Sequence, residues 1–85
     1  MMENSIGNSI ELKRITAIIL LVRLQNADIP YPHSKKCREQ MCKFLTYLLT
    51  DEENNRDYFL IERDDLAKII EDTDTAYNII KGYAD

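Results

Sequence analysis

A chain of 85 residues with net charge −4 makes one domain, and at that size it buries only about 60–65% of its unfolded surface. Two Gly and two Pro are too few for a sheet protein, which needs a turn signal about every ten residues. Residues 1–43 carry seven Lys/Arg against four Asp/Glu, whereas residues 44–85 carry four against eleven, which disfavours general nucleic-acid or anionic-membrane binding.

Residues 1–8 read as a flexible N-terminus and residues 9–85 as a single helical domain. Asn8 with Glu11 three positions into the next segment suits a capping box, so one helix is expected from Ser9 to about Ala27. Eleven Ile could favour strands, but they recur at helical spacings. At 100° per residue, Ile15, Ile19 and Val22 line one side of this helix, and Ala17, Leu20 and Leu24 line the other. A helix apolar on both sides needs cover on more than one face. In so short a chain, that predicts either the centre of a bundle or a homodimer interface on Ile15, Ile18, Ile19 and Val22. The apolar run Ala17–Val22 is far below the ~20 residues that span a bilayer. With Glu3 and Glu11 before it and no small-residue cleavage site after it, it is no signal peptide either.

Pro30 and Pro32 stop the first helix, because each pushes its predecessor out of the α region. Ser34 then caps a second helix over Lys35 to Thr50. Cys37, Met41, Phe44, Leu45 and Leu48 form its packed face, with Lys36, Glu39, Lys43 and Thr46 opposite. The polar run 51–57 breaks the chain. "YFLI", residues 58–61, is short and apolar, and it reads as a packed connector because a lone strand would lack a partner within the chain. From Glu62 helical spacing returns through Leu66, Ile69, Ile70, Thr73, Tyr77 and Ile80, interrupted at 71–75, with Gly82 placed to end it.

Leu66, Ala67, Ile70, Tyr77 and Ile80 occupy packing positions in a way that resembles the helix-turn-helix of small bacterial and phage regulators. That resemblance covers about twenty residues and implies a dimeric DNA-binding regulator. Asp74, Thr75, Asn78 and Lys81 would face the duplex, and Asn78 would suit adenine. A basic patch would then be assembled across the dimer from Lys13, Arg14, Arg23, Lys35, Lys36 and Arg38. Two positions depart from the pattern: Glu71 stands where Gly makes the turn, and Asp72 stands where an apolar residue closes it. A carboxylate about 4 Å from a phosphate costs roughly 1 kcal/mol even in bulk water, so the charge opposes what the shape permits.

His33, Cys37 and Cys42 are a poor metal set. The two Cys diverge by about 140° around a helix, and no fourth ligand is near. Buried reduced thiols, and hence a reducing cytoplasm, are the simpler reading. One His, no Gly-rich phosphate loop and carboxylates in surface-like clusters argue against an enzyme. No cofactor is expected. Five Tyr and no Trp supply most of the aromatic surface, and Tyr is enriched at interfaces.

The expected molecule is therefore all-α, a small bundle of about four helices with a helix-turn-helix-like C-terminal pair. Its expected role is a non-catalytic interaction module: an inhibitor, an antitoxin- or immunity-like protein, or a regulatory adaptor. It would bind a basic partner protein through Glu62, Asp64, Asp65, Glu71, Asp72, Asp74, Tyr77 and Tyr83. The alternative is the dimeric DNA-binding regulator.

Overall fold

Ile10 and Leu12 alternate with Glu11 and Lys13, and this period of two sets the start of the fold. In the computed structural model, which describes residues 9–84, Ser9–Lys13 is a strand, β1. Helix α1 (Arg14–Gln25) and helix α2 (Lys35–Thr50) follow, then a single 3₁₀ turn at Glu52–Asn54. Strand β2 (Tyr58–Glu62) runs directly into the short helix α3 (Arg63–Ala67), and α4 (Thr73–Ala84) closes the described chain.

The all-α expectation is thus corrected to a mixed α/β fold: four helices with a two-stranded antiparallel sheet among the described residues. β1 and β2 pair with Ile10 opposite Ile61 and Leu12 opposite Phe59 on the inner face. Glu11–Leu60 and Lys13–Tyr58 pair on the outer face. All four inner residues are buried, whereas a one-residue slip would turn them to water, so the register is tightly specified. The expected connector at 58–61 is therefore a strand, and its partner is the segment expected to begin a helix. Asn8, the expected cap, lies outside the described residues. The first helix starts at Arg14, where the backbone N–H donates to Asp57 O at 2.7 Å and ties the strand–helix junction to the entry of β2.

α1 ends before the prolines. Ala27 adopts a left-handed φ of +56°, its N–H donates to Leu24 O at 3.1 Å, and that of Asp28 donates to Arg23 O at 2.8 Å. This is a Schellman closure with Ala in the position Gly usually takes. α2 follows the sequence reading: the Ser34 hydroxyl accepts from Cys37 N at 3.0 Å, and Cys37, Met41, Phe44 and Leu45 are buried.

The core joins Leu12 and Phe59 of the sheet to Leu20 and Leu24 of α1, Met41 and Leu45 of α2, Leu66 of α3 and Ile80 of α4. α4 does not stop at Gly82, which lies within it. There the missing side chain admits Tyr31, whose hydroxyl would stand 3.3 Å from an added Cβ.

Candidate functional site

α3 has only five residues, too short to cover the C-terminal half of α2. What it leaves is a groove of about 420 Å³. Phe44, Tyr47 and Leu48 of α2 form one wall, Leu60 and Ile61 of β2 the floor, and Asp65, Lys68 and Ile69 the other wall, with Asp51 at one end. Two of these side chains are open to water to an unusual degree for their size: Tyr47 is 60% and Leu60 61% exposed. Leu60 is outward because β2 alternates, with Phe59 and Ile61 committed to the core. Tyr47 lies off the buried stripe of α2.

The groove's charges are mostly acidic. Asp65 meets the ammonium of Lys68 at 3.7 Å, while the Asp51 carboxylate accepts the N–H of Glu53 at 3.0 Å. Glu62 and Asp64 are exposed on the neighbouring chain.

The structure separates the acids expected to form one partner face. Glu62, Asp64 and Asp65 lie at the start of α3, beside the groove. Glu71 and Asp72 instead line a small cleft with Ser34, Lys36, Cys37 and Gln40 at the opposite end of α2, about 18 Å away along that helix. Glu71 pairs with Lys36 at 2.8 Å, and its backbone N–H donates to Gln40 Oε1 at 2.9 Å. The Lys36 ammonium holds the Glu71 carboxyl below its ordinary pKa. Asp72 caps α4 by accepting from Thr75 N at 3.4 Å, and Asp74 pairs with Arg63.

The two tyrosines assigned to that face differ in burial. Tyr77 is only 6% exposed and belongs to the core, with the Arg63 guanidinium 5.2 Å above its ring. Tyr83 is half-buried, and its hydroxyl accepts from Arg23 Nη1 at 2.8 Å. It links the ends of α4 and α1, and the bond raises the pKa of Arg23. The groove residues Phe44, Tyr47, Leu48 and Leu60 were missed in sequence because no local pattern reveals that a later helix is too short to cover them.

Two of the basic residues expected to assemble across a dimer lie at opposite ends of one chain's helical hairpin. Arg14 lines a hollow with Leu49, Thr50 and Asp51 at one end of the helical hairpin, and Lys36 is drawn to Glu71 at the other. At the start of α4 stand Asp72 and Asp74, and Asn78 and Lys81 are exposed further along.

His33 Nδ1 lies against Tyr31 O, and Cys37 is buried with its Sγ 4.0 Å from Asp72 O. Both thiols are free, and burial pushes both pKa values up, away from the thiolate that metal binding or nucleophilic attack would use. Among the described residues no His, Cys, Asp and Glu side chains gather to hold a metal ion, and no helix is long and apolar enough to cross a membrane. Comparison with protein-family models, curated proteins and solved structures finds no match to this chain.

Proposed function

We propose that this chain is a non-catalytic interaction module that occupies a basic segment of a partner protein through the groove between α2, β2 and α3. One observation carries the reading: Tyr47 and Leu60, each about three-fifths exposed, flank a hollow of mixed apolar and polar lining that bears Asp51 and Asp65 with Lys68 beside them. Apolar side chains of that size, concave and next to acids, suit an apolar anchor from the partner together with an adjacent Lys or Arg. Such binding needs no reacting groups. An inhibitor, an antitoxin- or immunity-like protein, or an adaptor works in this way, by covering a surface another molecule needs. Two unpaired cysteines are in keeping with work in a reducing compartment such as the cytoplasm.

The test is a methyl-labelled NMR titration with peptides that pair one aromatic or aliphatic residue with two or three Lys/Arg. Leu48, Leu60 and Ile69 resonances should move together, and Leu60→Ser should weaken binding by about 1–3 kcal/mol, the range for a desolvated anchor. Asp51→Lys with Asp65→Lys should slow association and flatten its salt dependence, as charges at a rim govern the encounter rate. Shifts confined to the cleft at Glu71 and Asp72, or no shifts with any such peptide, would overturn the assignment.

A further inference from the structure

Ile15, Ile18, Ile19 and Val22 follow i, i+3, i+4, i+7 on α1 and form one stripe about 100° wide. They are 61%, 42%, 49% and 48% exposed, while Ala17, Leu20 and Leu24 on the opposite side are buried. The four together leave roughly 350 Å² of largely apolar surface in water, the size of the largest patch on a typical monomer, which is often functional.

The stripe itself contains no charge; Lys13 and Asp57 share a hollow with Ile15 and Ile18 at its start, and two further cations on its flanks are held within the chain. The Arg14 side chain donates from Nε to Arg56 O at 2.6 Å and lies over the Phe59 ring. Arg23 is held by the Tyr83 hydroxyl and ring. A basic partner suited to the acidic groove would meet a single carboxylate here, Asp57, with Lys13 and Arg14 beside it. A second copy is a different matter. A two-fold contact sets a patch against itself, so any charge within it would face its own like, and this patch has none.

We propose that two copies of the chain pair through this stripe, with their α1 helices antiparallel about a two-fold axis between Ile18 and Ile19. Ile18 and Ile19 then meet their own counterparts, and Ile15 meets Val22 of the second copy. The antiparallel choice follows from charge. Parallel pairing would set Lys13 and Arg14 of both copies side by side and align the helix dipoles unfavourably, whereas antiparallel pairing places those cations near the opposite helix's carbonyl end. The stripe offers about half the ~800 Å² per partner of a standard stable interface, so the dimer is reversible, with a dissociation constant on the order of 10 μM.

Sedimentation equilibrium across 0.1 μM to 1 mM (roughly two decades either side of that value) should show a monomer–dimer transition. Ile18→Glu and Ile19→Glu should abolish it with the far-UV spectrum unchanged, since both side chains are already half in water. If either variant unfolds, Ile15→Ser serves in its place and should weaken the dimer at least tenfold. Orientation is read by mild oxidation in a Cys42→Ser background. Ile18→Cys should cross-link to itself, and Ile15→Cys should link only to a chain carrying Val22→Cys. A monomer at every concentration overturns the proposal, as does a chain that dimerises only after removal of residues 1–8, which would assign the face to that segment. Self-linking by Ile15→Cys overturns the antiparallel geometry. The groove reading is independent, because a strict monomer whose Leu60 still responds to basic peptides would sink only the dimer.

Discussion

Ala27 holds a backbone shape that Cβ disfavours, φ +56°, at a cost of about 1–2 kcal/mol for a residue other than Gly. Ala27→Gly should therefore raise stability by about 0.5–1 kcal/mol after the added freedom of the unfolded chain is counted, measured as a higher urea midpoint at unchanged slope. Ser34→Ala should act oppositely. It removes the acceptor of the Cys37 N–H, a loss of about 1 kcal/mol. The thiols differ in access: Cys37 is 1% exposed and Cys42 half-buried. An aromatic disulfide reagent at pH 8 should modify Cys42 first and reach Cys37 at the rate of opening; equal rates would contradict the packing of α2 against α4. The Lys36–Glu71 pair gives an acid-side dependence. Because Lys36 lowers the Glu71 pKa in the folded chain, the folded state takes up that proton less readily than the unfolded. The pair's contribution is present at neutral pH and is lost as the pH falls through the lowered value. Lys36→Met should flatten this part of the urea-midpoint profile, by little, since both groups are exposed.

Among the elements, α2 was fully legible, since sixteen residues of clean periodicity and a Ser cap admit one reading. β1 was not. Its five residues are too short for a period of two to be told from the first turns of a helix, and Asn8 and Glu11 imitate a capping box. What decides is β2, whose Phe59 and Ile61 bury Leu12 and Ile10 from 47 and 51 positions down the chain, contacts no local window contains. Leu12→Ala should accordingly cost about 2–5 kcal/mol by chemical denaturation, the penalty of a core cavity, rather than the few tenths expected of a helix's frayed first turn. The acidic residues were legible as exposed, but their division between two ends of α2 depended on where the Lys68–Asp72 turn lands. That turn does join two helices, yet α4 begins among Asp72 and Asp74 with its own Arg63 partner. Gel shifts with random duplex at physiological salt should show no complex tighter than about 10 μM, for want of phosphate-neutralising charge. A discrete, salt-sensitive complex at nanomolar protein would restore the DNA reading.

For the molecule as a whole, the proposed pairing through α1 would make stability depend on concentration. The melting temperature should climb as protein rises above the dimer's dissociation constant and stay flat for Ile18→Glu. Each dimer would also carry two grooves, so a partner with repeated basic segments would be held with an avidity that single peptides do not show. The strand pairing has a consequence for how the chain is made. Ser9 sits opposite Glu62, so β1 leaves the ribosome well before the strand that covers it. At about 5–20 residues per second, some 3–10 s separate the two. During that interval Ile10 and Leu12 have no sheet, and Leu20 and Leu24 have only α2 to lean on. The N-terminal half then carries uncovered apolar side chains by timing alone, and a messenger coding for slow passage between codons 14 and 57 should lower the yield of folded protein without altering a single residue of it.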